Sequence, residues 1–164
     1  MKIMFVIRDM SFIEHLGVMY LSSVSRDLGH ETSLVVINEH NLSDALESSL
    51  PDLLAISIMS VDATFFKDLA GMIREKYPKL FLVAGGPHCT FNREIIDFWP
   101  IDALIAGEGE APFRELLLCL EKGNDYSSIK NLHTKQKKNK LGDLIENLDV
   151  LPDPDRELVY YKGG

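Results

Sequence analysis

The chain is poor in cysteine, in basic residues and in long apolar runs, and each shortage excludes a class of function. Cys89 and Cys119 are its only cysteines, and they offer neither metal-ligand spacing nor a disulfide framework. The net charge of -8 argues against a nucleic-acid partner, which requires a basic face. No apolar run approaches the roughly 20 residues of a membrane span. We therefore expect a cytoplasmic protein with reduced thiols, no membrane span and no nucleic-acid partner.

What remains is an ordinary globular composition, with 46% hydrophobic and 26% charged residues. The 164 residues are enough to bury one proper core. Residues 1–7 are too few for a signal peptide and reach Arg8 and Asp9 without a cleavage site. We interpret them as the first strand of the fold.

Strand-like and helix-like segments alternate five times along residues 1–123. Apolar runs predict strands over residues 3–7, 31–37, 52–58, 80–84 and 102–106, and helical spacing predicts helices between and after them. Alternation with short loops predicts parallel strands and right-handed crossovers. We expect an α/β, flavodoxin-like (Rossmann-like) five-stranded parallel sheet of order 2-1-3-4-5, with helices on both faces.

The character of the chain changes after Gly123. Residues 127–134 predict a short strand and the basic run 135–140 a solvated hairpin tip. Pro152 and Pro154 disfavour a helix, so residues 144–164 are interpreted as a linker. We divide the chain into a domain over 1–123 and a hairpin and linker over 124–164.

Four loops that follow predicted strands, which we call corners, meet at the carboxyl edge of the predicted sheet. They are residues 9–17, 57–62, 85–91 and 107–110. Ligands of open α/β sheets bind at this edge. Gly85 and Gly86 remove the Cβ atoms that keep a ligand from the backbone, and Pro87 fixes the exit direction. This corner is a candidate binding edge, or a tight strand-to-helix turn with no ligand.

Three functions known for similar folds lack their residues here. A phospho-receiver needs an acceptor Asp after the third strand, where residues 57–60 read Ser-Ile-Met-Ser. A flavin mononucleotide carrier needs a glycine-rich phosphate loop, and residues 8–16 contain no glycine. A catalytic site needs a nucleophile facing a base, which the sequence neighbours His88 and Cys89 do not supply. No catalytic residue is assigned, and an interaction or regulatory module without a cofactor stays open.

Several stretches together have the pattern of one known family. They are residues 16–23, 26–31, 55–60, Gly-Gly-Pro-His at 85–88, Gly-Glu-Gly-Glu at 107–110, and the tail at 145–149 and 152–156. In this order and spacing they resemble the N-terminal cobalamin (vitamin B12)-binding domain of cobalamin-dependent radical SAM proteins. The likeness covers essentially the whole chain, and the two glycine corners make it specific.

The resemblance implies a domain that holds the corrin over the carboxyl edge of the sheet. In the fused enzymes, cobalt carries a methyl group from S-adenosylmethionine to an unactivated carbon, and a Cys-x-x-x-Cys-x-x-Cys motif holds a [4Fe-4S] cluster. This sequence lacks that motif. We therefore expect S-adenosylmethionine and the cluster to be bound only by a radical SAM partner domain, which is absent from this sequence. The chain itself would bind cobalamin, and the full-length protein would be a methyltransferase-type enzyme.

The resemblance also bears on the cobalt ligand. Many cobalamin domains use Asp-x-His-x-x-Gly, in which the His replaces the cofactor's own base. Alignment on Gly17 puts Phe12 and Glu14 at the Asp and His positions, with His15 one residue out of phase. We expect base-off binding without a protein histidine on cobalt, so that the only metal is the one the cofactor brings.

The resemblance implies thirteen cofactor-binding residues. Gly86→Val is expected to block corrin uptake and leave the fold intact. Glu108 either accepts hydrogen bonds from corrin amides or stabilises a helix N-terminus. The full set is Leu16, Gly17, Tyr20, Ser57, Met59, Ser60, Gly85, Gly86, Pro87, His88, Gly107, Glu108 and Gly109.

Overall fold

The computed structural model describes residues 1–9, 15–37, 40–142 and 144–160. Within them the strands are β1 Lys2–Ile7, β2 Glu31–Val36, β3 Leu53–Ser57, β4 Phe81–Gly85, β5 Ala103–Ile105 and β6 Leu132–His133. The helices are α1 Leu16–Asp27, α2 Leu42–Ser49, α3 Ala63–Lys76, α4 Pro87–Phe91, α5 Ile95–Phe98, α6 Glu110–Lys122 and α7 Arg156–Tyr160. Short 3-10 turns occupy Ser60–Asp62 and Leu148–Val150.

The sheet has the order β2-β1-β3-β4-β5-β6. The first five strands are parallel and follow the predicted order 2-1-3-4-5. The prediction of a five-stranded, wholly parallel sheet is wrong, because β6 pairs antiparallel with β5, with Leu104 opposite His133. The short strand predicted over residues 127–134 is confirmed as the two-residue β6, but its pairing with β5 was not predicted. It covers an edge that β5 would otherwise leave unpaired.

Both faces of the sheet are buried, which explains why the strands are apolar throughout. One face packs against α2, α3 and α5, with Phe66 fully buried among them. The other face packs against α1 and α6, where Phe5 and Phe113 lie with ring centroids 6.0 Å apart. Ile129, Leu132 and Leu158 belong to this second core, so residues after 123 contribute to it. The domain boundary at 123 stays a prediction.

The end of the described chain is more ordered than a linker. The short helix α7 begins after Pro154, so the prolines precede the helix instead of interrupting it. Asp155 is buried and accepts hydrogen bonds from Ser22 Oγ at 2.7 Å and Arg26 Nη1 at 3.1 Å. Burial raises the pKa of this carboxyl, but the bonds from Ser22 and Arg26 outweigh it and hold the pKa below its usual value. The segment is thereby anchored to α1.

In the part of the chain that the structure describes, no helix has the length and apolar character needed to cross a bilayer.

The buried His133 predicts a pH-dependent stability. Its two ring nitrogens have no hydrogen-bond partner. Burial, then the charges of Arg93 and Lys138, lower its pKa from 6.5. As the pH falls through 6.5, the unfolded chain therefore takes up a proton before the folded chain does, and the free energy of unfolding decreases. For one histidine the slope approaches about 1.4 kcal/mol per pH unit.

We expect His133→Leu to flatten this dependence in urea unfolding measured between pH 8 and 5. The exposed His40 provides the control, since His40→Leu should leave the wild-type slope. His30, whose pKa is also lowered by burial, contributes equally to both variants. Equal slopes for the two variants would show that His133 is not the titrating group.

Candidate functional site

A cavity of about 400 Å³ lies between the sheet, α1 and α6 and reaches the carboxyl edge of the strands. Four parallel strands contribute to its lining through Phe5, Ala55, Val83 and Ile105. Phe113 of α6 completes this mainly apolar interior, with Val18 and Leu21 of α1. The polar side chains His15, Ser57, Glu108 and Glu110 lie where the loops meet the edge. The cavity can take a flat apolar group and offer it hydrogen bonds only at one end.

The structure brings ten of the thirteen predicted residues to this cavity. They are Leu16, Gly17, Ser57, Met59, Gly85, Gly86, Pro87, Gly107, Glu108 and Gly109. The register explains part of the grouping, because Ser57 and Gly85 are paired at the ends of β3 and β4. That these residues contact a cofactor stays a prediction.

Three predicted residues lie outside the cavity lining. Tyr20 is half-buried on α1, and Leu21 takes the lining position because it lies four residues after Gly17 on the same helix face. Ser60 is exposed, and its Oγ lies 3.3 Å from Nδ1 of the half-buried His88. The His88 ring stacks on Trp99 with centroids 6.1 Å apart.

Gly86 is required by the packing of two strand ends. Its φ is +95°, and a Cβ there would lie 2.9 Å from both the N and the O of Ile58. The same Ile58 donates from its N to Gly85 O at 2.9 Å and accepts from His88 N at 3.1 Å. Gly86→Val would force these segments apart, so the expectation that it leaves the fold intact is wrong. The corner is a tight strand-to-helix turn that also borders the cavity.

Thr90 joins the two glycine corners, and sequence reasoning missed it. Its hydroxyl donates to Gly86 O at 3.2 Å and accepts from Gly107 N at 3.0 Å. The bond to the carbonyl four residues earlier is a common pattern for threonine in helices. The bond to Gly107 spans 17 residues and leaves no local signal in the sequence.

Glu108 ties the corner at 107–110 to the C-terminal segment. Its Oε2 accepts from Ile145 N at 2.8 Å, and its carbonyl O accepts from Asn131 Nδ2 at 3.0 Å. Helix α6 begins at Glu110, so Glu108 is not in its first turn. Both alternatives for Glu108, acceptance of hydrogen bonds from corrin amides and stabilisation of the helix N-terminus, stay predictions.

His15 lines the cavity although the motif alignment set it aside. Its Nε2 lies 2.9 Å from the carbonyl O of Asp9. Phe12 and Glu14, which the alignment places at the Asp and His positions of the cobalt-ligand motif, lie outside the described residues. Among the residues that are described, no three His, Cys, Asp or Glu side chains are grouped to hold a metal ion.

Comparison with known families decides what kind of domain has this cavity. The family model described as "B12 binding domain" matches residues 6–117. The chain belongs to the B12-binding domain family. The cavity lining from Phe5 to Phe113 falls almost entirely within the matched residues.

Several proteins similar to this B12-binding domain are named as methyltransferases. An uncharacterized methyltransferase PH0819 from Pyrococcus horikoshii is 31% identical over 158 residues, covering 88% of this chain and 34% of that protein. The cobalamin-dependent radical SAM methyltransferase TokK from Streptomyces tokunonensis is 34% identical over 89 residues, covering 52% of this chain and 13% of TokK. The chain thus spans about a third of PH0819 and a smaller part of TokK.

A solved structure shares the fold. The radical S-adenosylmethionine methyltransferase TsrM from Kitasatospora setae, with cobalamin and a [4Fe-4S] cluster bound, superposes with a TM-score of 0.67 at 17% identity. The match covers 80% of this chain and 28% of TsrM.

The Thr90 bridge predicts a measurable loss of stability. Thr90→Val keeps the side-chain shape and leaves Gly107 N without its partner, so we expect the free energy of unfolding to fall by about 1 kcal/mol. Thr64→Val, at an exposed position of α3, is the matched control. Urea unfolding of both variants makes the measurement, and equal midpoints would show that the bridge contributes nothing.

Proposed function

We propose that this B12-binding domain holds cobalamin base-off, without a protein histidine on cobalt, at the carboxyl edge of its sheet. The observation that carries the proposal is the apolar cavity of about 400 Å³ bordered by the glycine corners 85–86 and 107–109. Its volume is within the range of roughly 300–1,000 Å³ of small-molecule sites.

The residues present fit the parts of cobalamin. The benzimidazole base of the nucleotide tail is flat and apolar and suits the space between Phe5, Val83 and Phe113. The corrin is a broad disc that exceeds such a cavity and would lie over the edge, where Gly85 and Gly107 offer backbone. Ser57 and the backbone of 107–109 would hold the polar rim.

Exposed apolar side chains at the same edge support a broad ligand or covering domain. Val61 is 90% exposed after β3 and Phe91 is 83% exposed at the end of α4, which follows β4. Side chains of this size on successive edge loops are the kind of surface that a ligand or a second domain covers.

Base-off binding follows from placing the tail in the cavity, because a base held there is removed from the cobalt. Two histidines lie near the edge, and both have partners. His15 Nε2 lies against Asp9 O, and His88 Nδ1 lies 3.2 Å from Asn92 Nδ2 as well as near Ser60. The cofactor would supply a cobalt centre able to carry a methyl group, and the domain's own work is to bind and orient it.

The activity of the full-length protein is part of the proposal. TokK is named as a cobalamin-dependent radical SAM methyltransferase, and TsrM binds cobalamin together with a [4Fe-4S] cluster. We propose that this chain is the cofactor domain of such an enzyme, with S-adenosylmethionine and the cluster held by a radical SAM domain. Both cysteines are free thiols, which supports a reducing, cytoplasmic compartment.

A cofactor-free interaction module of the same fold is the second candidate. Many edge groups of the cavity are backbone atoms of corners that also serve packing, as the Gly86 and Ile58 contact shows. Such a module would keep the fold and retain no cobalamin, so binding separates the two candidates.

We expect the purified chain to retain hydroxocobalamin through desalting and to show a base-off visible spectrum. His15→Ala and His88→Ala should give the same spectrum as wild type, because neither ring is expected on cobalt. A retained base-on spectrum would overturn the binding mode and keep the ligand. A histidine-dependent spectrum would overturn the claim about the cobalt ligand, and absence of retained colour would favour the interaction module.

A blocking variant at Gly17 tests the location of the site. A Cβ at Gly17 or at Gly71 has no heavy atom within 4 Å, and both glycines lie in exposed helix positions. Only Gly17 lines the cavity. We expect Gly17→Phe to weaken hydroxocobalamin binding at least tenfold, through steric exclusion, with Gly71→Phe unaffected. Titration followed by absorbance measures both, and equal affinities would place the cofactor elsewhere.

A further inference from the structure

A buried asparagine outside the matched family region holds one wall of the cavity. Asn131 precedes β6, is 7% exposed and has a φ of +64°. Its Nδ2 donates to Glu108 O at 3.0 Å, and its Oδ1 accepts from Gly142 N at 2.5 Å. Its backbone N donates to Lys140 O at 3.1 Å, and its O accepts from Ala106 N at 2.9 Å. One residue therefore joins the end of β5, the loop 107–109 and the turn at 140–142.

The loop that Asn131 holds is part of the cavity lining. Gly107, Glu108 and Gly109 all border the cavity. Thr90 holds the loop from the other side through Gly107 N. Ile145 N adds a bond to the Glu108 carboxylate at 2.8 Å. The loop is thus fixed between the β4–α4 corner and the segment after β6.

Asparagine suits this position for two physical reasons. The left-handed backbone region is tolerated by Asn and Asp better than by most residues with a side chain. The carboxamide also offers a donor and an acceptor at once, which an Asp cannot do when ionised. Without the side chain, Glu108 O and Gly142 N would lose these hydrogen bonds. Loop 107–109 would then no longer be bonded to the residue that precedes β6.

We propose that Asn131 is a positioning residue of the cobalamin site, which sets the shape of loop 107–109 without touching the cofactor. The inference rests on the proposed function and extends the site beyond residues 6–117 of the family match. Two residues after position 117 then support the cavity wall, Asn131 through its bond to Glu108 O and Ile145 through its bond to the Glu108 carboxylate.

The neighbouring Asn139 gives a matched control. Its Nδ2 donates to Ser127 O at 2.8 Å and to Leu132 O at 2.6 Å. Both residues thus use a side-chain amide to bind backbone carbonyls in the same C-terminal part of the fold. Among the described residues, the hydrogen bonds of the Asn139 side chain go to Ser127 and Leu132 and not to loop 107–109.

The test compares Asn131→Asp with Asn139→Asp in the intact chain. Asn131→Asp keeps an acceptor for Gly142 N and places a carboxylate against Glu108 O. We expect it to weaken hydroxocobalamin binding about tenfold, the cost of a lost buried hydrogen bond. Amide hydrogen exchange over residues 106–110 should become faster in this variant without cobalamin. Asn139→Asp should leave both quantities at wild-type values, whatever it costs in thermal stability.

Each outcome decides the proposal. Equal effects of the two variants on binding, or unchanged exchange at 106–110 in Asn131→Asp, would overturn it while the proposed function stands. If Asn131→Asp does not fold, Asn131→Gly keeps the left-handed backbone without the side chain and replaces it. Failure of both to fold would make Asn131 a general structural residue and overturn the positioning role. If wild type binds no cobalamin, the proposed function fails, and the positioning role fails with it.

Discussion

The close approach of the β3 and β4 ends is the constraint on which the cavity depends. Ile58 bonds to Gly85 O and to His88 N, and the backbone of Gly86 passes within a distance that excludes any Cβ. This contact turns the chain from β4 directly into α4, and the corner that it fixes borders the cavity through Gly85, Gly86 and Pro87. The packing of the two strand ends thus also positions one wall of the cavity.

The second corner depends on the first through side chains. The Thr90 hydroxyl bonds to both Gly86 O and Gly107 N, so it fixes the distance between the two corners. Asn131 bonds to the other side of the second corner, at Glu108 O. Because these bonds end on backbone atoms, the loop has a defined shape before any ligand is present. A site formed in advance avoids the cost of ordering its loops on binding.

The sequence predicts the parallel strands and their helices better than the side-chain bonds that join distant segments. Continuous apolar runs located the five parallel strands, their alternation with helices led to the order 2-1-3-4-5, and the glycine corners located part of the cavity lining. The short strand over residues 127–134 was predicted, but its antiparallel pairing with β5 was not. The helix α7 was missed because Pro152 and Pro154, which precede it, were taken to disfavour a helix. Thr90, Asn131 and the bond from Ile145 to Glu108 join segments 17, 23 and 37 residues apart, so no local pattern could reveal them.

The same distinction separates positions that test binding from positions that test folding. At Gly86 a side chain meets backbone, so a variant there disrupts the corner before it can report on a ligand. At Gly17 a side chain meets open space beside the same cavity. Two glycines of one site thus have opposite roles, one maintaining the architecture and one leaving room. Only the second kind can change affinity while the sheet, its edge and the loop held by Asn131 remain as they are.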